Sequence, residues 1–299
     1  MACQSASRVF SGEHLSRARS APGVSSLRAL VACVVGQVRS KLPVLALCAA
    51  ASGAFAAESP GVSPAIVPVK PGDHGAVLYT SADGLLTVSL SDGSETLRAS
   101  GHGRADEFFY VLGGEVELRG TGAVGGAVVF GPGDAFVLPR GFVGEWYERS
   151  PARTVAVRYV GMGARAVEAD ASPLAVVRAD QRLLDASPWV PVENAPFARV
   201  VSGGTPRYRA EAIFRSSDGR LTVDVSSYET MTLEITRWPI DEFMLFVNGR
   251  VELRDRDGRG GVYGPGDAMV TPTGWTGTWQ QASPITKFAV SYDPLVDGQ

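Results

Sequence analysis

Two copies of one stretch fix what this chain can fold into. Asp106-Glu107-Phe108-Phe109-Tyr110-Val111-Leu112-Gly113-Gly114-Glu115-Val116-Glu117-Leu118-Arg119 is echoed by Asp241-Glu242-Phe243-Met244-Leu245-Phe246-Val247-Asn248-Gly249-Arg250-Val251-Glu252-Leu253-Arg254. The echo runs in both directions. Upstream, Ser81, Asp83, Gly84, Leu86, Thr87 and Val88 recur as Ser216, Asp218, Gly219, Leu221, Thr222 and Val223. Downstream, Gly131, Pro132, Gly133, Asp134, Ala135, Pro139, Gly141, Gly144 and Trp146 recur as Gly264, Pro265, Gly266, Asp267, Ala268, Pro272, Gly274, Gly277 and Trp279. Repeated glycines and prolines in matching phase mean a duplicated unit, so the chain holds two folded domains of one kind.

Within each unit the apolar runs are short and alternate with polar residues, and turn residues separate them. Leu85 to Leu90 reads as a strand with Leu86, Val88 and Leu90 on one face. Further strands are expected at 96–99, 107–112, 115–119, 127–130, 135–138, 144–147 and 154–160, with a hairpin at Gly113-Gly114. Asp134 and Asp267 are read as turn formers in their Gly-Pro-Gly-Asp segments. No long helical periodicity competes, so the class is all-β: two barrels or sandwiches in tandem. The expected layout is a leader and signal peptide at 1–56, a Pro- and Gly-rich linker arm at 57–76, one domain at 77–165, a connecting segment at 166–207, and a second domain at 208–299. In the connecting segment, Val176 to Leu184 reads as a short helix or strand.

The leader carries a basic flank, Arg39-Ser40-Lys41, then an apolar run from Leu42 that ends in Ala54-Phe55-Ala56. That is the pattern of a secretory signal cleaved before Ala57, and it predicts a periplasmic or secreted protein. The run is shorter than the roughly 20 apolar residues a membrane span needs. Cys3, Cys33 and Cys48 all precede Ala57, which excludes disulfides, thiolate metal sites and a cysteine nucleophile from the remainder. Residues 1–56 carry a net charge of +5, so of the chain's −3 the rest holds −8. An acidic body without a basic cluster argues against a nucleic-acid partner.

These motifs resemble the cupin superfamily, and the pair resembles a two-domain bicupin. The glutamate and glycine of the first cupin motif are met by Glu107 with Gly114 and by Glu242 with Gly249. The glycine, proline and glycine of the second motif are met by Gly133, Pro139 and Gly141 and by Gly266, Pro272 and Gly274. The resemblance implies two jelly-roll barrels of the double-stranded β-helix type, preceded by the signal-like segment. It also implies a metal held by three histidines and the glutamate, and here the sequence departs. The second-motif histidine is Gly144 in one copy and Gly277 in the other. The first-motif positions are Ser100 and His102, and Ile235 and Arg237. The run Gly133-Asp134-Ala135-Phe136-Val137, with Phe142-Val143-Gly144-Glu145-Trp146 and Trp275-Thr276-Gly277-Thr278-Trp279, looks closer to the metal-ligand-poor cupins related to ethanolamine-utilisation and ureidoglycine-aminohydrolase proteins, and neither metal nor cofactor is expected.

Strand alternation selects the inward side chains. If Glu107 faces the barrel interior, so does Phe109, and Trp146 takes the face of the missing histidine. The first pocket then holds His102, Glu107, Phe109 and Trp146, and the second Arg237, Glu242, Met244 and Trp279. A carboxylate, an aromatic wall and one cationic or titratable group suit a small polar metabolite. The same residues have plainer roles open to them: Trp146 and Trp279 as core, Glu107 and Glu242 as partners of Arg98 or Arg237, His102 as a solvated loop residue. The expected function is an exported bicupin that binds a small polar metabolite in a metal-free barrel, with a homodimer as a further expected assembly. The alternatives are an isomerase, lyase or hydrolase using His102 and Glu107 as acid and base, or a structural module without ligand.

Overall fold

A computed structural model describes residues 63–70, 77–91, 97–98, 103–120, 126–161, 174–201 and 204–294. The signal-like leader, residues 57–62 and 71–76 of the arm, and His102 lie outside the described residues. The first half of the chain contributes β1 (Val67–Val69), β2 (Val77–Thr80), β3 (Leu86–Ser91), β4 (Leu97–Arg98), β5 (Asp106–Gly120), β6 (Ala127–Phe130), β7 (Ala135–Leu138) and β8 (Gly144–Tyr159). Between the halves come β9 (Val177–Ala179), a 3-10 turn at Gln181–Ala186, β10 (Val190–Pro191) and β11 (Ala198–Val200). The second half contributes β12 (Arg207–Arg215), β13 (Leu221–Tyr228), β14 (Met231–Ile235), β15 (Asp241–Asn248), β16 (Val251–Asp255), β17 (Gly260–Tyr263), β18 (Ala268–Thr271), β19 (Gly277–Gln281) and β20 (Ile285–Tyr292). The fold is all-β, with two barrels in tandem.

In the first barrel the strand order is β2-β3-β8-β5-β7-β9, with β4 on β8 and β6 on β5. The second divides into a sheet β1-β18-β15-β20-β13-β12-β10 and a sheet β11-β14-β19-β16-β17. The hairpin expected at Gly113-Gly114 does not form. Instead β5 runs straight through both glycines and pairs antiparallel with β8 along nearly its whole length, with register shifts around Gly113 and Glu115. Such bulges bend a strand without reversing it, which lets one strand serve both walls of a barrel. Gly114 sits at φ +73°, and a Cβ there would meet the Pro151 carbonyl oxygen at 2.1 Å. Gly249, its counterpart, sits at φ +77° with the Pro284 carbonyl oxygen equally close at 2.1 Å. There the bend is sharp enough to divide the strand into β15 and β16. Only glycine meets both demands, which explains why the repeat keeps it.

The two barrels meet through the outward faces of their sheets. Leu86, Val88, Leu90 and Phe108 of the first pack with Leu221, Val223, Val225, Phe243 and Phe288 of the second in one buried cluster. The Phe108 ring lies 6.1 Å from Phe243 and 6.3 Å from Phe288. Burying each such ring stabilises the pair by on the order of 2–3 kcal/mol. At one border of this cluster the Tyr159 hydroxyl donates to Asp218 across the interface at 2.6 Å, and the Tyr292 hydroxyl donates to Asp83. The two tyrosine rings stand 5.2 Å apart. Tyr159 and Tyr292 occupy matching places in the repeat, as do Asp83 and Asp218, so the interface has an internal two-fold character.

Each barrel also borrows a strand from the segment that precedes the other. β1, in the arm read from sequence as a linker, pairs antiparallel with β18 of the second barrel, Val69 opposite Ala268 and Val67 opposite Val270. β9, in the connecting segment, pairs the same way with β7 of the first, Ala179 opposite Ala135 and Val177 opposite Val137. Each added strand covers an edge that would otherwise expose unpaired backbone groups. Flanking residues fasten the straps: the Thr276 amide donates to the Ser63 hydroxyl at 2.9 Å, and Leu174 bridges to Phe142.

The glycine bends give a direct stability comparison. Gly219 also has a positive φ of +76°, but nothing lies within 4 Å of an added Cβ. Gly219→Ala is expected to lower stability by about 1 kcal/mol, the left-handed cost alone. Gly249→Ala adds the backbone collision and is expected to cost at least about twice that. Urea midpoints at unchanged slope decide this; equal losses in the two variants would remove the close-approach account.

Candidate functional site

Because the apolar faces of β3, β8, β13 and β20 are turned toward the partner barrel, their polar faces point inward. In the second barrel Leu221, Val223 and Val225 enter the interface cluster, so Thr222, Asp224, Ser226 and Tyr228 take the opposite face. Antiparallel register then sets Ser226 opposite Lys287, Asp224 opposite Ala289 and Thr222 opposite Ser291. On the other side of β20, Glu242 stands opposite Ser291, Met244 opposite Ala289 and Phe246 opposite Lys287. Thr271 of β18 stands opposite Glu242. A polar row thus lines the interior of the second barrel. Asp224 is 3 % exposed, Glu242 1 %, Lys287 4 %, Thr271 1 % and Ser291 7 %.

The Lys287 ammonium donates to Glu242 Oε1 at 2.6 Å, with both side chains buried. It also lies 6.0 Å from the Tyr228 ring centroid. Asp224 has no such partner: neither carboxylate oxygen makes a hydrogen bond among the described residues, and the same holds for Glu242 Oε2, Thr271 Oγ1 and Ser291 Oγ. Burial pushes the Asp224 carboxyl up from 3.8 to about 7; the Lys287 ammonium opposes that rise, Glu242 adds to it, and the adjacent Ser226 hydroxyl opposes it. Burial also drives the Tyr228 hydroxyl well above its ordinary range, with Asp224 and Glu242 adding to the effect. The wall around this row is apolar and aromatic: Met244, Phe246, Met269 and Trp279 belong to one cluster. Trp279 is fully satisfied, its indole N–H donating to Gln281 Oε1 at 2.8 Å.

The first barrel is lined differently. Phe109 lies 5.0 Å from Trp146 and 5.2 Å from Phe136, and Phe130 stacks on Phe136 at 4.2 Å. These rings fill the lumen at the level of the repeat's second motif. Glu107 sits 3.5 Å from Arg158, a pair with side-chain exposures of 19 % and 50 %. Asp224 and Lys287 of the second barrel correspond in the repeat to Ser89 and Thr154 of the first.

The structure therefore gathers the sequence-selected residues unevenly. Phe109 and Trp146 meet as core aromatics, with Glu107 beside Arg158, whereas His102 lies outside the described residues. Glu242, Met244 and Trp279 line the second barrel, but Arg237 stands exposed beyond the end of β14, and the buried partner of Glu242 is Lys287. Sequence reading missed Asp224, Tyr228, Thr271, Lys287 and Ser291. Their signal was the alternation in Leu221–Tyr228 and Ile285–Tyr292, which marks a polar face without saying whether it is inside.

The metal implied by the cupin resemblance does not fit this donor set. A Cβ on Gly144 would fall 2.5 Å from the Phe142 ring and 2.7 Å from the Arg119 carbonyl oxygen. On Gly277 it would fall 2.2 Å from the Arg254 carbonyl oxygen and 2.6 Å from the Trp275 ring. No side chain, let alone imidazole, can start from either position while the neighbouring strand stays where it is. Among the described residues no three His, Cys, Asp or Glu side chains are placed to share a metal ion.

Comparison with known proteins agrees with this architecture. The EutQ-like cupin domain family matches residues 98–154 and 235–289, once in each barrel. A protein of unknown function from Pseudomonas syringae pv. tomato has a similar fold, with a TM-score of 0.57 and 17 % identity over 72 % of this chain and 85 % of that one. A cupin 2 conserved barrel domain protein from Leptotrichia buccalis aligns at TM-score 0.48 and 10 % identity, over 78 % of this chain and 91 % of its own. The putative glyoxylate-induced protein of Pseudomonas aeruginosa aligns at TM-score 0.43 and 12 % identity, over 72 % and 78 %. No curated protein matches the chain by sequence. Each of the two barrels thus carries one match to the EutQ-like cupin domain family, and the chain has the two-barrel fold of a bicupin.

Proposed function

We propose that this bicupin is exported and binds a small polar molecule inside a barrel without the help of a metal. The observation that carries the reading is the polar row buried in the second barrel. A carboxylate, a lysine–glutamate pair and two hydroxyls, placed in an apolar lumen with several oxygens unpartnered, cost folding free energy. Well-packed hydrophobic side chains would be more stable there, so a binding role accounts for what stability alone does not. Asp224, Glu242 and Lys287 are the contacting groups of this proposal, with Met244 and Trp279 as walls. The first barrel, filled by Phe109, Phe136 and Trp146, serves as the framework that buries the outer face of the second. Export rests on the basic flank and apolar run ending at Ala56, and no helix among the described residues is long and apolar enough to cross a membrane.

Three measurements test the reading. A thermal-shift screen of amines, polyols, amides and carboxylates should raise the melting temperature of the wild-type protein for at least one class and leave a Glu242→Gln variant unshifted; silence across all classes would remove the proposal. Protein recovered from a periplasmic or culture fraction should begin at Ala57 by N-terminal sequencing. The third concerns Asp224 itself. Its carboxyl titrates near 3.8 in the unfolded chain and near 7 in the folded one. Between those values the folded state holds a proton the unfolded state has lost, so stability falls as pH rises through the window and then levels off. Asp224→Asn removes that loss. The variant should melt several degrees above wild type at pH 8 and close to it at pH 4; an equal offset at both pH values would show that burial of the charge is not the cause.

A further inference from the structure

Resting on that reading, the arrangement of atoms in the second barrel also indicates what kind of molecule it takes. The polar atoms of the row that lack a hydrogen-bond partner among the described residues are oxygens that can accept: both oxygens of Asp224, Oε2 of Glu242, and the hydroxyl oxygens of Ser226, Thr271 and Ser291; the Trp275 indole N–H, in the aromatic cluster around them, is a donor that also lacks one. Of the donors beside the row, Lys287 gives one N–H to Glu242 and the Trp279 indole gives its N–H to Gln281. Two carboxylates share one ammonium, so with both ionised the buried row carries one uncompensated negative charge. A carboxylate or phosphate ligand would add to that charge, whereas a neutral ligand would leave it in place.

The chain already shows how a cation is received there. The Lys287 ammonium reaches Glu242 Oε1 at 2.6 Å and faces the Tyr228 ring at 6.0 Å. A second ammonium could take Asp224 and the free Glu242 oxygen in the same manner, with aromatic faces around it. The charged and titratable groups facing Asp224 are Lys287 from β20, Glu242 from β15 and Tyr228 from its own strand; β12 presents Ala210 and Ala212 opposite Ser226 and Asp224.

We propose that the second barrel binds a small primary ammonium compound, held by the Asp224 carboxylate and Glu242 Oε2, and that binding expels the proton from Asp224. The balance is simple: the ammonium enters with its charge, the neutral Asp224 carboxyl becomes a carboxylate, and one proton leaves to solvent. Protons and ligand therefore compete for Asp224. Since burial pushes that carboxyl up to about 7 in the folded protein, affinity should rise about tenfold from pH 6 to pH 8 and change little above it.

The test is isothermal titration of the purified protein with methylammonium and n-propylammonium chloride, alongside glycerol and propionate, at pH 6 and pH 8. Repeating the pH 6 titration in buffers of different ionisation enthalpy counts the protons released. The expected result is binding of an alkylammonium only, about tenfold tighter at pH 8, with close to one proton released at pH 6. Asp224→Asn should weaken binding at least about tenfold and abolish the pH dependence, and its melting curve shows whether it is folded. Binding of glycerol or propionate in place of the ammonium would overturn the cation assignment and leave the wider binding reading intact. So would ammonium binding by Asp224→Asn with the wild-type pH profile. Silence from all four probes overturns the cation assignment at this site, and the broader thermal-shift screen then decides the wider reading separately.

Discussion

The packing of one barrel's outer face against the other sets which side chains of the joining strands point inside. An isolated barrel turns its apolar strand faces inward and its polar faces to water. Here Leu86, Val88 and Phe108 are buried against Val223, Val225 and Phe243 at the join, so the apolar faces of the joining strands are spent outside the lumen. The alternation of a β-strand leaves no freedom after that: the other faces, bearing Ser89 in one barrel and Asp224, Ser226 and Lys287 in the other, must point in. The join thus fixes the direction of these side chains but not their polarity, since Phe109 and Ala156 of the first barrel and Met244 and Phe246 of the second are buried on the same inward faces. The reciprocal straps β1 and β9 reinforce the same arrangement, since each ties a segment preceding one barrel into the sheet of the other.

Duplication then allowed the two interiors to diverge under that common constraint. Both keep a glutamate, Glu107 and Glu242, at one place in the sheet. In the first barrel it faces Arg158, a pair open enough to solvent that it contributes little to stability. In the second it is enclosed with Lys287, and neither oxygen of the neighbouring Asp224 makes a hydrogen bond among the described residues. Stability alone argues for aromatic filling of the Phe109–Phe136–Trp146 kind in both. At the matching places the second barrel has Met244, Met269 and Trp279, also buried, so the asymmetry lies in the neighbouring row, where Ser89 and Thr154 of one barrel stand against Asp224 and Lys287 of the other.

The fold was legible in the sequence because its hardest constraints fall on residues with few alternatives. Gly114 and Gly249 require both a positive φ and the absence of a Cβ, and the Asp134 and Asp267 turns require a side chain that accepts from the Gly131 and Gly264 amides. Such positions survive duplication visibly. The hairpin expected at Gly113-Gly114 went wrong because a glycine pair also suits a bulge, and only the pairing of β5 with β8 decides between them. Of the site, Glu242, Met244 and Trp279 were legible through the cupin motifs. Asp224 and Lys287 were not, because the pattern Leu-Thr-Val-Asp-Val-Ser of β13 looks the same whether its polar face meets water or a closed lumen. Arg237, near in sequence to β15, is the partner that proximity along the chain suggests for Glu242, whereas register brings Lys287 from β20.

The glycines that replace the second-motif histidine show that this interior was rebuilt and not merely emptied. At Gly277 the Arg254 carbonyl oxygen lies where a Cβ would begin, and the Trp275 ring fills the space beyond. Removing a ligand while keeping its backbone would leave a cavity, and cavities cost stability in proportion to their volume. Closing the strand onto glycine and swinging an aromatic ring across avoids that cost, but it also bars any side chain from returning without displacing β16. The glutamate that would have faced a metal is left needing a positive charge in a dry lumen, and Lys287 supplies it at 2.6 Å. With that charge fixed in the chain, Asp224 is left as a buried carboxyl with neither oxygen in a hydrogen bond among the described residues, beside Glu242 Oε2 and the Thr271 and Ser291 hydroxyls in the same condition.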